Sequence, residues 1–338
     1  MKSAKPIGLI LPTILAALGP VDRAWSCPKL LMFDGPSIRS EMNDKAARYW
    51  GRTIGLQGLF LNDIMADWQT DVASGPASPA WSRAKEMQGV YAREGVTDNF
   101  IKVAIWRSHD WRDELANKSV AANFGHAAAL ARFAGFRGIA LDTEPYVPIW
   151  GGPAGGDEIA GLVRQEGKRI GEAMRAAYPG MTLVILKDAL LYASLREGYN
   201  GGYQLAVPFL QGLLSADFPQ VVIAEEQSYK DMHVAATDAD VRNRYTEFLR
   251  GNKISTRDLS VAPGLWPLGK SYLDKSARMS SRDFGQELGA AYSSAKHYVW
   301  IYGFGSAWDP DGTYKGALDN NFGKYVAVLQ REVSRCRP

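Results

Sequence analysis

Residues 136–146, FRGIALDTEPY, carry the reading on which the fold turns. Ile139, Leu141 and Thr143 form one alternate set; Gly138, Ala140, Asp142 and Glu144 form the other. Successive residues of a strand point to opposite faces. A branched set on one side and a small, then acidic, set on the other predict a strand with helices against one face and a cavity beyond the other. The carboxyl end of that strand would deliver Asp142 and Glu144 into the cavity.

Seven more runs repeat this strand-like composition: residues 29–35, 56–63, 99–106, 181–188, 220–227, 258–266 and 296–303. Their starts lie roughly 27 to 45 residues apart, the length of a βα unit with its loops. Between them lie stretches with helical apolar spacing, among them 158–178 and 282–295. Eight alternating units predict a single-domain (β/α)8 TIM barrel over residues 27–338. A doubly wound open sheet is the alternative, but neither GxGxxG nor GxxxxGK[ST] follows the first strand.

The segment before residue 27 carries Lys2 and Lys5, an apolar run of about a dozen residues, and Ala24-Trp25-Ser26, a small-x-small site. It reads as a signal peptide, 1–26, of a secreted or periplasmic protein, with a signal anchor as the alternative. No membrane association is expected after cleavage. The only two cysteines, Cys27 and Cys336, then end the mature chain, and a barrel brings its first strand and last helix together. In an oxidising compartment they are expected to form a disulfide, with two free thiols as the alternative.

Charge excludes other classes. The 39 basic and 36 acidic residues leave a net charge of +3 without long runs, no footprint for nucleic acid. The four histidines, His109, His126, His233 and His297, show no metal-ligand spacing, so neither a metal nor an organic cofactor is expected.

Barrel enzymes build their sites at the carboxyl ends of the strands. Alternation puts Glu226 rather than Glu225 inside strand six, Trp106 inside strand three, Trp266 inside strand seven, and Trp300 and Tyr302 inside strand eight. Asp34, Asn62, Asp63 and Lys187 stand at other strand ends, and Tyr146, Trp150, Tyr229 and Trp308 follow in the loops. Carboxylates on the floor of an aromatic cleft suit a polysaccharide or oligosaccharide: flat apolar faces stack sugar rings, and acids cleave the bond between them. Glu144, Asp142 and Glu226 are the catalytic candidates. Asp34, Asn62, Asp63, Trp106, Tyr146, Lys187, Glu225, Tyr229, Trp266, Trp300, Tyr302 and Trp308 are the substrate-binding candidates.

FRGIALDTEPY resembles the strand-four motif of family 18 chitinases and endo-β-N-acetylglucosaminidases, commonly FDGxDxDxE. Phe136, Gly138, Ile139, Leu141, Asp142 and Glu144 fall in its register, and Trp300 matches the family's floor Trp. Ala140 replaces the first acid of the DxDxE run, and residues 225–229, EEQSY, stand where Met-x-Tyr-Asp is usual. The resemblance implies that Glu144 protonates the glycosidic oxygen while Asp142 orients a substrate acetamido group acting as internal nucleophile. Thr143-Glu144-Pro145 is also similar to the Asn-Glu-Pro of a large clan of retaining glycosidases, whose second Glu ends strand seven; the end of strand seven here, APGLWPLG, offers no carboxylate. The second acid is then Glu226, Glu225 or Asp142. Two other readings remain open: a carbohydrate-binding barrel without catalysis, and a hydrolase or lyase acting on another substrate.

Overall fold

The structure, a computed structural model, describes residues 27–33, 44–62, 64–65, 67–72, 75–145, 147–150, 156–195, 202–226, 234–267, 279–303 and 322–335. Eight parallel strands close into one barrel in sequence order. They are β1 (Lys29–Phe33), β2 (Gly58–Leu61), β3 (Phe100–Ile105), β4 (Gly138–Pro145), β5 (Thr182–Leu186), β6 (Gln220–Glu225), β7 (Leu259–Leu265) and β8 (Tyr298–Tyr302). Each falls within or overlaps the run expected from sequence, trimmed at its ends. The barrel closes where β1 pairs with β8, Leu31 against Trp300 and Phe33 against Tyr302.

Around the barrel lie α1 (Asp44–Arg48), which continues as a π-helical turn through Ile54, α2 (Pro79–Arg93), α3 (Glu114–Ala134) and α4 (Gly156–Ala177). They are followed by α5 (Ala189–Leu195), α6 (Ala206–Leu214), α7 (Val234–Gly251), α8 (Ser281–Ser294) and α9 (Phe322–Arg335). Local chemistry sets their ends. Asp113 caps α3 by accepting from the N–H groups of Leu115 and Ala116, both at 3.0 Å. Ser280 caps α8 by accepting from the Asp283 N–H at 3.1 Å, and its hydroxyl donates to the Asp283 carboxylate at 2.7 Å. Among the described residues no helix is long and apolar enough to cross a membrane.

Strand alternation divides the core in two. Ile139, Leu141, Leu183, Ile185, Val221 and Ile223 pack against the helices. Phe60, Phe100, Ala140, Val184, Val222 and Trp300 fill the barrel. Trp300 is fully buried, and its indole N–H donates to the Ala262 carbonyl at 3.1 Å. Residue 264 must be glycine for the indole to lie there: a Cβ would stand 2.5 Å from the Trp300 ring and 2.6 Å from the Glu225 carbonyl.

The amino end of the barrel is closed by charge. Asp98 lies 2.5 Å from the Lys29 ammonium, and the Tyr298 hydroxyl donates to it at 2.9 Å from within the barrel.

Glu166 of α4 is a buried charge. It is 1% exposed, and Arg169 donates to it at 3.1 Å. Burial, aided by Glu114 and opposed by Arg169, pushes its carboxyl up to about 7. Because the folded-state value is raised, the folded chain binds more protons than the unfolded one between about pH 4.5 and 7, and this residue's contribution is lost as pH rises through that window. Glu166→Gln is therefore expected to be more stable than the parent at pH 8, relative to pH 4.5, by about 2 kcal/mol. Thermal unfolding of both proteins across that range checks it; parallel curves would dismiss it.

Candidate active site

Consecutive strands β3 to β6 supply one polar constellation at the carboxyl end. On β4 the ladder with β3 is irregular: Val103 pairs with Leu141, but Ile105 pairs with Pro145. Asp142, Thr143 and Glu144 therefore stand against Ala104 alone. Such a bulge re-aims side chains beside a site. Its central residue is fastened on the helix side, where the Thr143 hydroxyl donates to the Leu186 carbonyl at 2.9 Å and the Trp150 indole donates to the Thr143 carbonyl at 2.8 Å.

The two acids of the motif occupy unlike surroundings. Asp142 is 3% exposed. One of its oxygens accepts the Glu144 backbone N–H at 3.0 Å, and the other lies 2.9 Å from the ammonium of Lys102, itself buried within β3. The Glu144 side chain, two residues on, keeps 30% of its surface exposed. Asp142 thus braces the strand end from below, while Glu144 reaches the mouth.

Lys187 links the next strands. Alternation would carry it to the helix side, because Leu186 faces the barrel interior. Its φ of 73° puts its backbone in the left-handed region, which few non-glycine residues adopt, and turns the side chain into the cavity. There the ammonium donates to Glu144 Oε1 at 2.9 Å and lies 3.9 Å from Glu226 Oε2. Asp188 turns the other way, capping α5 and pairing with Arg244 of α7.

Lys187 lies over the ring of Tyr192, 4.7 Å from its centroid, with Tyr203 at 5.8 Å. Burial alone would favour the neutral amine, but Glu226 and Glu144 outweigh it and hold the ammonium well above the ordinary lysine range. Burial likewise pushes the Tyr203 hydroxyl up, against the pull of Lys187.

Sharing one ammonium, the two glutamate oxygens lie no more than about 7 Å apart, within reach of paired-carboxylate chemistry at a glycosidic bond. The Glu226 side chain is 18% exposed. Glu225 has the parity of Val221 and Ile223 and is fully buried.

The aromatic candidates divide. Trp106, just beyond β3, is 48% exposed instead of turned inward, because its backbone N–H is held by Asp67 at 2.9 Å where the strand ends. Tyr302 stacks on Phe33, with ring centroids 5.2 Å apart, and meets Trp266 edge-on at 5.1 Å. Trp300 lies beneath them as packing, and Trp150 is buried in the helix-side core. Asn62, at the end of β2, is partly exposed. Asp34, Asp63, Tyr146, Tyr229 and Trp308 lie outside the described residues, as do Cys336 and the expected signal segment.

Three residues of the constellation were not among the sequence candidates. Lys102 had a legible signal: it shares the inward parity of Ala104 in an otherwise apolar strand. Tyr192 and Tyr203 had none, since they approach from α5 and the turn before α6. Among the described residues no group of three or more His, Cys, Asp or Glu is placed to hold a metal. A groove of about 530 Å³ between α8 and α9, lined by Arg282, Arg331 and Glu332, lies on the outer wall and takes no part in this site.

No protein-family model matches the chain, and no curated protein matches it. Solved structures do. The catalytic domain of a hyperthermophilic chitinase from Pyrococcus furiosus is 9% identical, with 91% of this chain and 96% of that one covered and a TM-score of 0.54. GH5_18 from Streptomyces cattleya, in complex with GlcNAc, is 13% identical, covering 93% and 81%, with a TM-score of 0.53. A sugar phosphate isomerase/epimerase from Parabacteroides distasonis is 11% identical, covering 90% and 97%, at 0.45. At these identities the likeness to the first two shows the shared fold alone.

Proposed function

We propose that the protein is an exported glycoside hydrolase that cuts within a polysaccharide or glycan chain, with Glu144 donating a proton to the glycosidic oxygen and Glu226 as the second carboxylate. The observation that carries this reading is the pair itself. Of the carboxylates on β4 and at the end of β6, Glu144 and Glu226 reach the mouth and share one ammonium, whereas Asp142 is buried against Lys102. Asp142 then serves by holding the Glu144 backbone. Trp106, Trp266 and Tyr302 offer the sugar flat apolar surface.

Export is supported by the apolar segment and small-x-small site ahead of residue 27. A bond between Cys27 and Cys336 is supported by the packing of the last helix. Gln330 donates to the Thr53 carbonyl, and Val333 lies against Gly55, near the amino end of the barrel where β1 begins.

Release of reducing ends from a panel of purified polysaccharides tests the reading. Amino-sugar polymers head the panel, since the β4 motif resembles that of chitinases and a chitinase domain is among the matched barrels. Hydrolysis of one polymer is expected. Binding without cleavage, equal in the parent and in Glu144→Gln, would instead make the protein a carbohydrate-binding barrel.

A further inference from the structure

One ammonium serves two carboxylates that a glycosidase needs in opposite protonation states. Two carboxylates whose oxygens lie no more than about 7 Å apart repel when both are charged, and a cation held unequally between them gives them unlike surroundings. Lys187 stands between them unequally, hydrogen-bonded to Glu144 at 2.9 Å and only in ionic contact with Glu226 at 3.9 Å. Among the described residues, the groups that face it are Glu144 from β4, Glu226 at the end of β6, Tyr192 from α5 and Tyr203 ahead of α6. The neighbouring charges, Asp142 with Lys102 and Asp188 with Arg244, are paired with each other. A left-handed backbone at a non-glycine residue has a conformational cost, and at Lys187 it is what brings the ammonium into the cavity.

We infer that Lys187 is a positioning residue: it holds the Glu144 carboxylate while the site is free of sugar and passes to Glu226 when Glu144 takes up its proton, giving the two acids unlike roles. This rests on the glycosidase reading. In the cycle the Glu144 proton goes to the leaving oxygen as the C–O bond breaks with its electron pair on that oxygen, and Glu144 returns to Lys187 as a carboxylate. The sugar carbon is taken by the Glu226 carboxylate, forming an ester that a second water hydrolyses while Glu144 takes that water's proton and is reset as the acid, or by a water that yields its proton to Glu226, after which solvent takes that proton and returns one to Glu144. Lys187 keeps its own protons and changes only its partner. Its persistent positive charge between the two acids agrees with this.

The test is carboxyl 13C NMR titration of the sugar-free protein labelled at Glu, with signals assigned through Glu144→Gln and Glu226→Gln, and run on the parent, Lys187→Met and Lys187→Arg. In Lys187→Met the first proton is expected to bind at a pH higher by at least about one unit, and Lys187→Arg is expected to restore the parent behaviour. The kcat–pH profile should move in the same direction, with kcat down by about tenfold or more and KM little changed. Should Lys187→Met fail to fold, Lys187→Gln, which keeps a donor but no charge, carries the same test. Hydrolysis by the parent with an unchanged titration in the neutral variant overturns the inference and leaves the glycosidase reading standing. A shifted titration with no polymer hydrolysed overturns that reading and leaves the hold of Lys187 on both carboxylates.

Discussion

Glu144→Gln is expected to lower kcat for polymer hydrolysis by about 10³-fold with little change in KM, because the amide keeps the shape of the side chain and has no proton to give. The loss should depend on the leaving group. A substrate with a strongly acidic phenol as leaving group needs little protonation, so its cleavage should fall by far less than that of the polymer. Glu226→Gln should lose activity on both substrates, since a nucleophile or base is needed whatever leaves. Steady-state kinetics of the two variants on the two substrates separates these roles. A Glu144→Gln enzyme that keeps more than about a tenth of its polymer activity would remove Glu144 from proton transfer.

Lys102→Met is expected to destabilise the fold by about 3–5 kcal/mol, because it strands the Asp142 carboxylate inside the barrel. The two side chains are 5% and 4% exposed at 2.9 Å separation, and the ammonium also lies over the Phe33 ring, 4.5 Å from its centroid. Removing the remaining charge as well should recover most of the loss, so Lys102→Met/Asp142→Asn should unfold close to the parent. Denaturant unfolding of the two single variants and the double variant measures the coupling. Additive losses would mean that the pair does not act as a unit. The double variant should still lose activity, because an Asn at 142 holds the Glu144 backbone N–H with a neutral oxygen instead of a charged one.

Much of the fold was legible because its signals are local. Alternation along FRGIALDTEPY assigned Ile139 and Leu141 to the helix side and Ala140 to the interior, and both cores show that division. The same rule separated Glu226 from Glu225. The helix expected over 158–178 is Gly156–Ala177, and that over 282–295 is Ser281–Ser294, each differing by only one or two residues at its ends. The rule fails where the backbone departs from a strand. Trp106 lies past the last ladder pair of β3, and Lys187 takes a left-handed turn, so counting by two no longer tells where either side chain goes.

The sequence by itself therefore determined the eightfold barrel and which acids stand at the carboxyl ends of its strands, because a period of two and a spacing of βα units are written along the chain. Only the tertiary structure decided which acids are exposed to act. Lys102 meets Asp142 and Lys187 meets Glu144 across strands that are distant in sequence, the latter pair 43 residues apart. Whether a carboxylate is withdrawn into a buried ion pair or left at the mouth depends on register, a bulge and the sign of one φ angle, and these are fixed when the barrel closes.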